Sequence, residues 1–130
     1  MAEPTEHESQ CQIFQWAEMQ TKIMPELKLL SARIAGVKLS IGTWRKLLRA
    51  GYKKGSCDIL LQVARCGYSS LNIELKRESG GRLSPEQKIW LSDLNKYGNL
   101  GVCVRGGPKA IEIIKAYLRN DKDELLLLLK

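Results

Sequence analysis

Gly55-Ser56-Cys57-Asp58-Ile59-Leu60-Leu61, followed after a short connection by Asn72-Ile73-Glu74-Leu75-Lys76, carries the strongest signal in this chain. Both stretches have the apolar character of short strands. Successive side chains of a strand point to opposite faces, so Glu74 and Lys76 share one face while Ile73 and Leu75 pack on the other. Asp58 opens the apolar run Ile59 to Val63, and antiparallel pairing of the two runs brings its carboxylate toward that of Glu74. Two hard oxygen donors beside an ammonium suit a magnesium or manganese ion bound to a phosphate, the equipment of metal-dependent phosphodiester cleavage. Taken singly, an Asp at a strand start is commonly a turn residue and a Glu-x-Lys pair an exposed ion pair. In combination they say more, because charge at the ends of two apolar strands is costly to bury unpaired and a bound cation compensates it.

With 130 residues, 44% hydrophobic and 27% charged, the chain has the size and composition of one folded domain with its own core. Its 21 Lys and Arg against 14 Asp and Glu leave a net charge of +7, which favours a polyanionic partner, nucleic acid first. Cys11, Cys57, Cys66 and Cys103 are far apart, and His7 is the single histidine, which argues against a structural zinc site. Cys11, Cys66 and Cys103 lie in or beside apolar runs and are expected to be buried thiols of a reduced, cytoplasmic protein. No charged-then-apolar leader opens the sequence. The apolar run Leu125 to Leu129 falls far short of the roughly 20 residues that span a bilayer. No membrane association is expected. That run either folds back on the core or meets another subunit.

Along the chain, Thr5 is placed to cap a helix reaching about Leu30, interrupted at Pro25, with Glu6, Gln10, Ile13 and Ala17 at helical spacing. The stretch from Ser31 to Gly55 is basic. Ser40 caps a helix from about Ile41 to Ala50 that clusters Arg45, Lys46 and Arg49, with Trp44, Leu47 and Leu48 available to pack inward. Lys38, Lys53 and Lys54 extend the basic stretch, and Arg77 and Arg82 flank the paired glycines Gly80-Gly81, so these eight residues form the candidate nucleic-acid surface. Ser84-Pro85-Glu86-Gln87 is a helix start with Gln87 completing a capping box, and that helix ends at Gly98. A strand over Gly101 to Arg105 and a last helix over Ala110 to Leu118, with Ile111, Ile114 and Leu118 inward, complete a mixed α/β plan: a mixed sheet flanked by helices.

Gly55-x-x-Asp58, Ile73-Glu74-Leu75-Lys76, Gly81-Arg82-Leu83-Ser84-Pro85-Glu86-Gln87 and Val104-Arg105-Gly106-Gly107 together resemble the VRR-NUC family, the virus-type replication and repair nucleases of the PD-(D/E)xK superfamily. The resemblance covers about residues 6 to 118 of a single domain, 1 to 130, and leaves 119 to 130 as a tail. It rests on the joint spacing of four motifs. It implies a restriction-endonuclease-like fold and a Mg2+- or Mn2+-dependent endodeoxyribonuclease without any small-molecule cofactor. Small stand-alone phage and bacterial members of the family resemble Holliday junction resolvases of DNA recombination and repair that work as homodimers, which implies branched DNA and a second copy as partners, in a bacterial cell or phage-infected host. Carried over by position, Asp58 and Glu74 become metal-binding carboxylates, the Leu75 carbonyl a further metal ligand, Lys76 the catalytic lysine and Gln87 its neighbour. The family also places an acid on the first helix, where Glu6 fits best and Glu8 stands in reserve. The chain departs from the pattern at Cys57, where many members have proline, and at Ala35-Gly36-Val37, which replaces an asparagine- and glycine-rich turn.

Two other functions are compatible with these residues. A flap, nicking or restriction-like nuclease would share every site residue. A non-catalytic DNA-binding module could keep the fold and the basic surface, but retention of Asp58, Glu74 and Lys76 together argues against it.

Overall fold

The computed structural model describes residues 2–33 and 39–130. Lys38 and the Ala35-Gly36-Val37 turn lie outside the described residues. Thr5 caps α1 (Glu6–Gln20) through a reciprocal capping box with Glu8, which satisfies two N–H groups at the helix start. The helix expected to reach Leu30 stops at Gln20, since Pro25 has no N–H to continue it. Pro25–Leu29 instead forms a 3-10 turn that leads into a strand, β1 (Leu30–Ala32). Ser40 caps α2 (Ile41–Arg49). β2 (Ile59–Leu61) is shorter than the apolar run through Val63, because a tight turn with an Arg65 to Tyr68 backbone pairing follows it, with Cys66 and Gly67 at positive φ. β3 (Leu71–Lys76), α3 (Pro85–Lys96), β4 (Leu100–Arg105), α4 (Gly107–Leu118) and α5 (Lys122–Leu128) complete the chain.

The four strands form one sheet in sequence order, antiparallel between β1, β2 and β3 and parallel between β3 and β4. Leu71, Ile73 and Leu75 face α1 and α4 and join Ile13, Ala17, Ala110, Ile113, Ile114 and Tyr117 in the core. The opposite sheet face lies under α3. A Cβ on Gly101 would come within 3.2 Å of Leu91 and Leu94, so glycine there lets the helix settle on the sheet. Asn72, Glu74 and Lys76 share that face, each register partner of Gly101, Cys103 or Arg105.

Several sequence expectations are corrected by packing. Ile113 and Tyr117 join Ile114 and Leu118 in the core while Ile111 is half-buried, so the buried face of α4 is wider than expected. No residue of α2 is fully buried: Trp44 and Leu47 are half-buried and Leu48 is exposed, because the helix lies on the surface rather than against the sheet. Cys66 is buried, but Cys11 and Cys103 are exposed, and all four thiols are free. The C-terminal leucines divide: Leu125 is 0% exposed in the core and α5 packs on α4, whereas Leu126 and Leu127 face outward. The tail therefore folds back on its own domain.

Candidate active site

The register of β2 on β3 ends at Ile59 opposite Ile73, so one further step sets Asp58 across from Glu74. There the backbone ladder gives way to a side chain: the Leu75 N–H donates to Asp58 Oδ2 at 2.9 Å. On the other side, the Arg33 N–H donates to the Asp58 carbonyl at 2.9 Å. Asp58 is thus held from both flanks at the point where sheet pairing stops. Gly55 makes this approach possible. It sits at φ +91, and a Cβ there would lie 2.8 Å from the Glu86 backbone, so only glycine lets this segment pass the first turn of α3.

Glu74 is 2% exposed and Lys76 9% exposed, and the Lys76 ammonium lies 3.9 Å from Glu74 Oε1. Gln87 reaches the same oxygen with its amide N–H, while its own Oε1 accepts the Ser84 N–H at 2.9 Å. One side chain therefore caps α3 and orients Glu74. The second oxygen, Glu74 Oε2, is buried without a hydrogen-bond partner. Burial, followed by the charge of Asp58, pushes the Glu74 carboxyl up to about 8, against the opposing pull of Lys76 and Arg33. An unpartnered buried oxygen on one of two mutually repelling carboxylates is the electrostatic setting a divalent cation relieves, and hard oxygen donors suit Mg2+ or Mn2+. Leu75 contributes main chain alone, since its side chain is in the core; its N–H serves Asp58 and its carbonyl is the oxygen assigned to a metal from the sequence.

Glu6 does not join this group. It is exposed in the first turn of α1, a helix packed on the opposite sheet face, and among the described residues no group of three or more His, Cys, Asp or Glu side chains is arranged to hold a metal. Glu8, the reserve candidate, is taken up by the Thr5 capping box. Helical spacing identified the outward face of α1 but not the side of the sheet on which that helix docks.

Of the basic candidates, Arg45, Lys46 and Arg49 are exposed on α2, and Lys53 and Arg82 are exposed as well. Lys54 pairs with Glu86 at 3.7 Å and Arg77 with Glu3 at 3.1 Å, both at the surface. Two arginines outside the candidate nucleic-acid surface organise the surroundings. Arg33 donates to the Lys53 carbonyl at 3.0 Å and to Ser56 Oγ, and lies 4.9 Å from the Tyr52 ring centroid, which itself meets Trp44 edge-on at 5.2 Å. This chain of contacts ties α2 to the segment carrying Asp58. Arg105 donates to the carbonyls of Arg77, Gly80 and Gly81, holding the glycine loop against β4. Neither role has a signature in sequence spacing, because the partners are backbone carbonyls 20 or more positions away.

A solved structure described as a VRR_NUC domain protein superposes on this chain with a TM-score of 0.78 at 28% sequence identity, over 92% of each chain. The chain has the VRR-NUC fold. No family model and no curated protein matches the sequence. A VRR-NUC domain implies a nuclease of the PD-(D/E)xK type, and with it DNA as a partner. Among the described residues, no helix is long and apolar enough to cross a membrane.

Proposed function

We propose that this chain is a structure-specific DNA endonuclease that uses Mg2+ or Mn2+ at Asp58 and Glu74 and resolves four-way junctions as a homodimer. The observation that carries the metal assignment is the buried, unpartnered Glu74 Oε2 beside Asp58. A divalent ion held by Asp58, Glu74 and the Leu75 carbonyl would acidify bound water, polarise a phosphoryl oxygen and neutralise charge on the leaving oxygen. The protein's own groups divide the remaining work. Asp58 is fixed by the Leu75 N–H, and Glu74 by the Gln87 amide on Oε1, which leaves Oε2 without a protein partner. Lys76, nine-tenths buried and beside Glu74, supplies a positive charge that stabilises the negative charge building around phosphorus or orients the attacking water. The basic residues on α2 and in the 77–82 loop offer phosphate contacts on either flank. Paired cuts in a four-way junction need two sites related by a two-fold axis, which a C2 dimer provides.

The test is incubation with labelled four-way junction, flap and linear duplex in Mg2+, Mn2+ and EDTA, with light scattering to count chains. Junction cleavage in either metal and none in EDTA is expected. Asp58→Asn and Lys76→Ala should lose on the order of 100-fold or more in rate while still binding DNA. Wild-type rates in either variant would remove the site assignment, and a single-chain mass would remove the paired-cut mechanism in favour of a nicking or flap enzyme.

A further inference from the structure

A cavity of about 310 Å3 opens on the same sheet face as the two carboxylates, between the end of β1 and the middle of α3. It shares backbone with the site. Cys57, in its wall, precedes Asp58; Asn72, also in its wall, lies two residues before Glu74 on the same face of β3; and Arg33, a third wall residue, is hydrogen-bonded through its N–H to the Asp58 carbonyl. At about 3.3 Å per residue, Asn72 in the cavity wall is roughly 7 Å from Glu74 along the strand.

The walls are of two kinds. Trp90 and Leu60 offer an apolar surface, and the half-buried Cys57 adds to it. Arg33, Ser56 and Asn72 supply polar groups. Arg33 is already fixed: one guanidinium nitrogen, Nη1, donates to the Lys53 carbonyl and Ser56 Oγ, and Tyr52 lies under the guanidinium carbon. Its Nε is buried and has no partner. A buried donor left unmade is costly, so the Nε edge of this immobilised fork calls for an acceptor from a ligand. An isolated phosphate would meet one cation and leave the indole and the leucine facing an anion. A planar heterocycle with acceptors on one edge matches both walls.

We infer that this cavity receives a single unstacked nucleobase of the strand being cut, lying against Trp90 with its edge on Arg33. Guanine is the preferred base, since its O6 and N7 are the paired acceptors an arginine fork reads. The inference deepens the nuclease reading and rests on it: branched DNA presents bases at the branch that have already lost a stacking neighbour, so the cost of extraction is low there, and stacking on an aromatic side chain recovers part of it. A binding requirement of this kind makes branch recognition a property of the monomer's own site, in addition to any spacing set by a dimer.

Two measurements in EDTA, where no cleavage occurs, test this. Four-way junctions carrying 6-thioguanine at successive positions around the branch are bound and irradiated, and the adduct is mapped by mass spectrometry. Crosslinking from one position to the peptide containing Trp90 or Cys57 is expected, and Trp90→Phe should keep it. Replacing guanine by 7-deazaguanine at that position removes N7 and leaves stacking intact; affinity should fall roughly tenfold in the wild type. In Arg33→Lys, which keeps the charge but lacks the fork, guanine and 7-deazaguanine should bind alike. Bound DNA with no crosslink to the cavity at any position overturns the inference, as does equal wild-type affinity for the two bases. A protein that crosslinks as expected but cuts nothing in Mg2+ or Mn2+ would fail the nuclease reading alone, and one that cuts junctions without crosslinking would fail this inference alone.

Discussion

Replacing Glu74 with Gln should make the metal-free protein more stable at alkaline pH while abolishing its response to metal. Burial and Asp58 raise the Glu74 carboxyl from 4.5 to about 8, so the folded state holds a proton that the unfolded chain has released. The contribution of Glu74 to stability is therefore fully present below about pH 4.5 and is lost as pH rises through about 8, because in that window its carboxyl holds a proton in the native state that the unfolded chain has released. At 1.36 kcal/mol per unit the full shift corresponds to about 5 kcal/mol, an upper bound. Relaxation and solvent screening around the carboxyl reduce this, so roughly 2 to 3 kcal/mol is the expected loss between pH 5 and 8.5. Glutamine mimics the protonated acid and can still accept from the Gln87 amide. Urea denaturation of both proteins from pH 5 to 9 in EDTA should show a falling wild-type curve and a nearly flat one for Glu74→Gln, with the variant more stable at pH 8.5. Adding Mg2+ or Mn2+ should stabilise the wild type at pH 8.5 and leave the variant unmoved, since cation and proton compete for one carboxylate. A variant that follows the wild-type slope, or a wild type whose stability rises across this window, would refute the electrostatic account of the site.

Leu125→Ala should cost about 2 to 5 kcal/mol in urea denaturation, as expected for a side chain with no solvent exposure, and a loss below about 1 kcal/mol would mean that α5 docks only loosely. Neutralising Arg45, Lys46 and Arg49 together to Gln should flatten the dependence of DNA affinity on salt by about two to three in log–log slope with unchanged thermal stability; an unaltered slope would move the DNA path toward Arg77 and Arg82. Gly55→Ala places a Cβ against the Glu86 backbone at a positive φ, so a loss of about 2 to 4 kcal/mol is expected together with reduced cleavage, and wild-type stability would show that the close approach of this segment to α3 is not needed.

Local chemistry was legible wherever one short segment contains all the partners. The Thr5 and Ser84 caps, the Gln87 capping box, and the alternation of Ile73 and Leu75 with Glu74 and Lys76 all follow from spacing within a few residues. What was not legible depends on which side of the sheet an element docks. β1 is three residues long, too short to show a period of two, and it exists because Ile59–Leu61 offers it a ladder. Apolar residues of α2 read as inward-facing, yet the helix finds no sheet to cover and leaves Leu48 and Ile41 in solvent. Glu6 sits at a plausible helical position, but α1 buries Ser9, Ile13 and Ala17 against the face that Glu74 does not share. Arg33 and Arg105 act on backbone carbonyls, and nothing in a linear sequence marks which carbonyls need a donor.

The site lies where two kinds of order end together. β2 and β3 stop pairing after Ile59 and Ile73, and an ordinary sheet would leave the Leu75 N–H to water or to another strand. Here Asp58 takes that N–H with a side-chain oxygen, so the carboxylate placed to bind a cation also closes the sheet. Gln87 couples the same way on the opposite flank, completing the N-terminal cap of α3 with its oxygen and holding Glu74 with its nitrogen. Each group is immobilised by a bond that the fold requires in any case, and this explains how a site with one buried and one half-buried carboxylate keeps its geometry despite their repulsion. It also separates charge from architecture at Asp58: asparagine retains an acceptor for Leu75 and removes the charge, whereas alanine removes both and leaves a main-chain donor unpaired, at about 1 to 3 kcal/mol. Loss of cleavage in Asp58→Asn therefore reports on the missing charge, and loss in Asp58→Ala would confound it with an opened sheet end.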